Sequence, residues 1–149
     1  GVNVGLGTDG AASNNDLDLW EEIRMAALLH KVNSGDPTAL PAGDALAMAT
    51  RLGARAARLG DKVGQLKPGM RADLIQVELN KTHQLPLYDV VSHLVYVTDS
   101  SDVVTTIVDG EVLMEDRKVL TIDEQALRKK VQARSDEIRS ALADQAAES

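Results

Sequence analysis

The sequence has no cysteine and no phenylalanine, and one tryptophan and two tyrosines make up its whole aromatic content. Without cysteine there is no disulfide framework of the kind that supports small secreted domains, which fits a cytoplasmic protein. A core of ordinary size uses several large aromatic side chains, because each buries a large apolar area. Their scarcity indicates that part of the core to which these 149 residues belong lies elsewhere.

Positive charge is also scarce. Lysine and arginine number 16 against 23 acidic residues, which gives a net charge of -7. Nucleic-acid binding depends on clustered basic side chains that neutralise phosphates, so the composition argues against a nucleic-acid partner. No apolar run approaches the ~18 residues of a membrane-spanning helix, which argues against a membrane protein.

The first residues alternate between branched apolar side chains and small or polar ones, which is the period of a β-strand. Val2, Val4 and Leu6 would share one face, and the strand would end at Asp9. A lone strand leaves two unpaired edges, which native sheets avoid. We therefore expect neighbouring strands from outside this sequence, and we interpret a chain that begins with Gly1 in mid-pattern as part of a longer protein.

Two helices, a group of strands and a last helix are predicted after this strand. One helical periodicity begins near Asp16 and a second covers 43–59. We predict that Gly60 ends the second helix in the left-handed conformation. Asp109-Gly110 is a strong hairpin signal, because both turn positions require positive φ. From Asp123 the pattern is again helical. The predicted strands cover 72–79, 91–98, 103–108 and 112–114.

Asp9 is the strongest candidate for chemistry. It would lie at the C-terminal end of the first strand, where (β/α)8 barrels form their active sites. A carboxylate there can bind zinc and accept a proton from the water that the metal activates. An aspartate after a strand also commonly caps the turn or helix that follows, and position alone leaves both interpretations open. Ser13 and Asn14, in the next loop, could line a site or serve only the turn.

The histidines form no recognisable metal-binding pattern. His30, His83 and His93 include no His-x-His pair and no pair four residues apart, the spacings that present two ligands to one ion. His30 would lie late in a helix, His83 in a loop and His93 at the start of a strand. We expect each to be structural or exposed to solvent.

Several motifs, in their order and spacing, resemble the amidohydrolase superfamily. Gly7-Thr8-Asp9-Gly10, followed by Ser13-Asn14-Asn15, resembles the eighth barrel strand and its loop. The similarity is closest to the branch that holds the S-adenosylhomocysteine/5′-methylthioadenosine deaminases and the triazine chlorohydrolases, and it extends to about Asp123. Further segments that resemble the family are 48–50 and 53–56 in the second helix, 64–75 at the entry to a small β-domain, and 93–96 with 103–110 in its closing strands.

The resemblance implies an α/β plus β fold. The chain would supply the last βα unit of a (β/α)8 (TIM) barrel, followed by part of a small β-sandwich domain and a C-terminal helix. The implied bounds are 1–60 for the barrel segment, 61–122 for the β-domain and 123–149 for the helix.

The resemblance also implies a metal-dependent aminohydrolase. It would deaminate an adenosine-type nucleoside of the S-adenosylhomocysteine/5′-methylthioadenosine class. One divalent metal, zinc with iron as the alternative, would be held by Asp9 and by histidines that this sequence lacks, and Asp9 would carry the proton. Ser13 and Asn14 would contact the substrate. The alternatives are a triazine chlorohydrolase or guanine deaminase of the same superfamily, or a non-catalytic interaction module if the chain is complete as given.

The implied partners are a small-molecule substrate, the N-terminal part of the barrel and, as a homo-oligomer, further copies of the protein. The chain on its own is expected to be inactive. Catalytic zinc uses about three protein ligands, and this sequence offers only Asp9.

Overall fold

The structure, a computed structural model, describes residues 1–147. Its helices are α1 (Ala11–Asn14), α2 (Leu19–Ser34), α3 (Ala42–Ala49), α4 (Arg51–Ala56), α5 (Val90–Tyr96) and α6 (Glu124–Ala147). Its strands are β1 (Leu74–Val77), β2 (Val103–Val108), β3 (Glu111–Glu115) and β4 (Lys118–Val119), and two short 3-10 turns cover Thr82–Gln84 and Ser100–Asp102. The chain therefore runs from helices into a small sheet, interrupted by α5, and ends in a long helix.

The strand predicted at the N-terminus is absent. Residues 1–10 are extended, but none of the other described residues pairs with them in a sheet. The segment lies instead along α3 and α4, where the Leu6 amide donates to the Met48 carbonyl at 3.2 Å. Gly5 approaches Gly53 so closely that a Cβ on Gly5 would lie 2.8 Å from the Gly53 Cα. The prediction was wrong for this structure because a strand requires a partner strand.

The helix predicted from Asp16 begins later, at Leu19. The Asp18 carboxylate accepts a hydrogen bond from the Trp20 amide at 2.8 Å, which is the usual chemistry of a helix N-cap. Gly35, with φ of 66°, ends the helix in the left-handed conformation. The separate short helix α1 ends at Asn14, and residues 15–17 link it to the cap without helical structure.

The helix predicted over 43–59 is divided at Thr50, whose φ and ψ are -121° and -101°. Its hydroxyl donates to a carbonyl one turn earlier at 2.8 Å, a bond that often bends helices. Gly60 does not end the second helix in the left-handed conformation as predicted; Arg58, with φ of 60°, adopts it instead. Gly60 is explained by space, since a Cβ there would lie 3.2 Å from the Arg55 backbone.

The four strands form one antiparallel sheet in the order β1-β2-β3-β4. Leu74 of β1 lies opposite Ile107 of β2, and Val108 lies opposite Glu111 across the hairpin. Asp109 and Gly110 occupy the turn with φ of 52° and 85°. The predicted hairpin is therefore confirmed, together with the positive φ values on which the prediction rested.

The strand predicted over 91–98 is a helix, α5. The Asp89 carboxylate caps it by accepting from the Ser92 amide at 2.6 Å. Val95 is completely buried against α2 and α3. The prediction followed the β-branched composition, but strand propensity is weak where tertiary packing favours a helix. His93 consequently lies on a helix and not at the start of a strand.

The core lies between α2, α3 and α5. Two side chains of α2 tie that helix to the end of α5: the Trp20 indole nitrogen donates to the Leu94 carbonyl, and Arg24 donates to the Thr98 carbonyl at 2.6 Å. These bonds satisfy carbonyls that a helix end leaves without intrahelical partners. The residues buried in this core are Ile23, Ala27, Ala45 and Val95.

Two helices also carry exposed apolar faces. On α6, which confirms the helix predicted from Asp123, the exposed stripe is Leu127, Val131, Ile138 and Leu142. On α2 it is Met25, Leu28, Leu29 and Val32. No helix within residues 1–147 is both long enough and apolar enough to cross a membrane.

Candidate active-site loop

The structure places Asp9 at the end of the extended segment, exposed and in the left-handed conformation, with φ of 58°. Aspartate is one of the few residues other than glycine that adopts this conformation readily. Within residues 1–147 its carboxylate has no hydrogen-bond or ion-pair partner. It does not cap a helix, because α1 begins after Gly10 without a side-chain cap and Asp18 caps α2. The Asp9 carboxylate is thus exposed to solvent and has no partner within residues 1–147.

The Asn14 side chain links the backbone next to Asp9 to helix α2. Its side-chain amide nitrogen donates to the Thr8 carbonyl at 2.8 Å and to the Glu22 carboxylate at 2.7 Å. The amide has two protons, so these two bonds use both. Ser13 is exposed on α1, and its backbone amide donates to the Gly10 carbonyl at 2.9 Å. The three predicted site residues therefore belong to one loop region. The Asn14 side chain bonds to the loop backbone and to α2.

The histidines lie on other elements. His30 is exposed near the end of α2. The His93 ring contacts the carbonyl of Gln84, a residue that is completely buried and whose side chain donates to the Glu78 carbonyl at 2.8 Å. His93 thus supports the turn that leads into α5. His83 belongs to a second polar cluster.

This second cluster surrounds Asp102, which is completely buried at the turn before β2. Its carboxylate accepts from Lys81 Nζ at 2.8 Å and from the Asp99 amide at 3.1 Å, and lies 3.3 Å from His83 Nε2. Burial raises the pKa of Asp102, but the hydrogen bonds from Lys81, the Asp99 amide and His83 outweigh it and lower the pKa to about 2. Asp102 is therefore ionised at neutral pH.

His83, Asp99 and Asp102 bring three potential metal ligands within 4.8 Å of one another. The Lys81 ammonium already takes one Asp102 oxygen, so the protein's own cation neutralises this group. We assign the cluster to an internal ion-pair network. The sequence analysis did not identify it, although Asp99-Ser-Ser-Asp102 has the spacing of a capping box, which the structure forms.

Asp9 suits a divalent cation, because a carboxylate with free oxygens is a ligand that zinc accepts. Catalytic zinc uses about three protein ligands, and this loop supplies one. The donor fits such an ion but does not complete its coordination. Further ligands would have to come from other segments of the protein.

The sequence model of the amidohydrolase family matches residues 1–113 of this chain. The 5′-deoxyadenosine deaminase of Methanosarcina barkeri is 58% identical over 138 residues. The 5-methylthioadenosine/S-adenosylhomocysteine deaminase of Pelotomaculum thermopropionicum is 56% identical over 135 residues. A crystal structure of an adenosine deaminase from Xanthomonas campestris with bound zinc is similar with a TM-score of 0.89 and 40% identity.

These matches cover most of this chain but a small part of each relative. They span 93% of the chain and 32% of the Methanosarcina enzyme, 91% and 31% for the Pelotomaculum enzyme, and 93% and 32% for the Xanthomonas structure. The chain therefore spans about a third of the length of the curated relatives it matches. The family match covers well over half of the 149 residues and confirms the resemblance seen in the motifs. The chain belongs to the amidohydrolase family.

Proposed function

We propose that this chain supplies the catalytic aspartate, Asp9, of a metal-dependent aminohydrolase that deaminates adenosine-type nucleosides. The observation that carries the proposal is the free, exposed Asp9 carboxylate, held in a left-handed position at the end of an extended segment. The names of the similar proteins support the substrate class, since they are deaminases of 5′-deoxyadenosine, 5-methylthioadenosine and S-adenosylhomocysteine.

In this proposal Asp9 has two tasks. It binds one divalent cation, zinc as in the Xanthomonas structure, which supplies the Lewis acidity that activates water at neutral pH. It also takes the proton that the attacking water loses and passes it to the departing amine as ammonia forms. A carboxylate performs such a transfer well when it is held within hydrogen-bond reach of both partners. Ser13, exposed on α1, remains a predicted substrate contact.

Residues 1–10 are extended but unpaired within the described residues, and we infer that in the intact protein they gain partner strands and form, with α2, the last βα unit of a (β/α)8 barrel. The exposure of Val2 (91%) and of the apolar face of α2 supports this, because both would be covered by neighbouring barrel elements. The antiparallel sheet would be part of a β-sandwich completed by other strands. The bounds 1–60, 61–122 and 123–149 belong to this proposal, and a homo-oligomer in the cytoplasm remains a prediction.

The test uses the intact protein that contains this chain, loaded with zinc. We expect kcat/KM to be highest for 5′-deoxyadenosine, 5′-methylthioadenosine or S-adenosylhomocysteine among a panel that includes adenosine, guanine and a chlorotriazine. A lead of tenfold or more, about 1.4 kcal/mol in transition-state binding, for guanine or the triazine would make the substrate class wrong. Absence of turnover on the whole panel would favour the non-catalytic interaction module.

A further inference from the structure

We propose that Asn14 is a positioning residue for Asp9: its amide fixes the peptide between Thr8 and Asp9, and with it the direction of the Asp9 carboxylate. The inference rests on the proposed function, in which Asp9 is the catalytic residue. It gives Asn14 a task other than the substrate contact that the sequence predicts.

The bond from Asn14 acts on the peptide plane from which the Asp9 side chain is built. The Thr8 carbonyl, which accepts from Asn14 at 2.8 Å, lies in the same plane as the Asp9 nitrogen. The φ angle of Asp9 is the rotation that starts from this plane, so fixing the carbonyl fixes the reference for the side chain. The Thr8 hydroxyl adds a second restraint by donating to the Asp9 carbonyl at 3.2 Å.

The left-handed conformation of Asp9 makes such a restraint necessary. A residue other than glycine with φ of 58° occupies a sparsely populated region of the backbone map. It stays there when its surroundings determine it, and such residues are concentrated at active sites. The Asp9 carboxylate is itself free, so the restraint on this residue comes through its backbone neighbours.

Asn14 is in turn anchored to the packed core. Its second proton goes to the carboxylate of Glu22 at 2.7 Å, a bond strengthened by the charge on the acceptor. Glu22 lies in the first turn of α2, next to Trp20 and Arg24, which tie that helix to α5. A continuous path of bonds therefore leads from the core to the Asp9 peptide. With both protons used in this path, the Asn14 amide group has none left to donate to a substrate.

A charge-swap experiment separates positioning from simple stability. In the intact protein, Asn14→Asp removes both donors and places a second carboxylate beside Glu22. Adding Glu22→Gln restores the outer bond, because the Gln amide donates to the new Asp, but the Thr8 carbonyl still lacks a donor. Glu22→Gln alone is the matched control, since its side-chain oxygen can still accept from Asn14.

We expect the single Asn14→Asp variant to lose both thermal stability and activity. The double variant should recover the melting temperature, while kcat stays lower by about 10–100-fold, because small misplacements of a reacting group cost about 100-fold. KM should change by less than about threefold, as expected for a group that does not bind substrate. Glu22→Gln alone weakens the outer bond but keeps both Asn14 donors in use, so it should lower the melting temperature less than Asn14→Asp does and should lower kcat by less than about threefold. If kcat returns together with the melting temperature in the double variant, Asn14 is merely structural and the proposal is overturned.

Two further measurements keep this result apart from a failure of the proposed function. A crystal structure of the double variant should show that Asp9 has left the left-handed conformation; φ unchanged near its present value overturns the proposal whatever the activity. Asp9→Asn serves as the reference: if it remains fully active, the proposed role of Asp9 is wrong. If Asp9→Asn is inactive while the double variant has normal kcat, the positioning role alone is wrong.

Discussion

The proposed chemistry rests on one carboxylate, Asp9, which is exposed and has no partner among residues 1–147. Asp102, by contrast, is completely buried, pairs with the Lys81 ammonium and lies 3.3 Å from His83 Nε2. The two residues have the same side chain, but their different environments suit them to different tasks. The free carboxylate is available for a metal and a proton, and the buried one holds the turn before β2 in place.

For Asp9→Asn in the intact protein, we expect kcat to fall by about 10²–10⁴, because the amide can neither carry the proton nor supply charge to a metal. The circular dichroism spectrum should be unchanged, since the side chain is exposed and makes no bond within the described chain. Asp16→Asn, an exposed aspartate of the same loop region, is the control and should retain normal kcat. A kcat within a few-fold of wild type for Asp9→Asn would contradict the catalytic role.

For Asp102→Asn, we expect the free energy of unfolding near pH 7 to fall by about 2–3 kcal/mol, because Lys81 would lose its buried counter-charge. The pKa of Asp102 is lowered to about 2, so the unfolded state binds more protons in acid than the folded state does. The stabilisation is therefore complete above the ordinary aspartate pKa and is lost as the pH falls towards about 2. Urea unfolding of both proteins between pH 7 and pH 2 is the measurement.

The difference in unfolding free energy between wild type and Asp102→Asn should thus shrink in acid. Asp144→Asn, an exposed aspartate on α6, is the control and should change stability by less than about 0.5 kcal/mol. A difference that stays constant down to pH 2 would show that the variant acts through packing and not through charge.

At the scale of elements, a turn whose requirement is local could be predicted, whereas elements that depend on contacts distant in the sequence could not. The Asp109-Gly110 hairpin could be predicted because its requirement, positive φ at two adjacent residues, is contained in the turn itself. The helix α5 could not, because what makes 91–98 helical is the burial of Val95 against segments far away in the sequence. The division at Thr50 was not predicted either, although the bond that accompanies it, from the Thr50 hydroxyl to the Leu46 carbonyl, is local.

The site shows the same limit. Asp9 could be identified because its motif and its place after an apolar alternation are both local features. Asn14 is predicted from the sequence as a substrate contact, but nothing in the sequence shows that Glu22, on the next helix, accepts one of its protons. The Asp102 cluster was not foreseen, because Lys81 and His83 come from a separate turn.

The contact between Gly5 and Gly53 makes a prediction at this scale. A Cβ on Gly5 would lie 2.8 Å from the Gly53 Cα, a backbone atom that cannot swing away. Gly5→Ala should therefore cost about 1–3 kcal/mol in unfolding free energy, and it should lower kcat because the displaced segment carries Asp9. Gly43→Ala, where a Cβ meets nothing within 4 Å among the described residues, is the control. Unchanged stability and kcat in Gly5→Ala would show that this close approach is not required.

At the scale of the whole molecule, the exposed apolar faces and the single candidate metal ligand, Asp9, both support the proposal that this chain packs against further segments of a longer protein. The apolar stripe of α2 and the side chain of Val2 remain open to solvent in residues 1–147. The relatives that this chain matches are about three times as long as the part they share with it. In the proposed barrel, neighbouring βα units would cover these surfaces, and their loops would supply the remaining metal ligands.

The 149-residue chain by itself should therefore bind no zinc tightly and deaminate no nucleoside, although in the proposed function the intact protein does both. The reason is the number of ligands: about three protein side chains hold a catalytic zinc, and the loop of this chain offers the single carboxylate of Asp9. We do not count the Asp102 cluster among them, because the Lys81 ammonium already pairs with the Asp102 carboxylate. Native mass spectrometry during a zinc titration, with a deaminase assay on the same sample, is the measurement. One tightly held zinc per chain together with turnover would mean that these residues form a complete site, and the barrel interpretation would then be wrong.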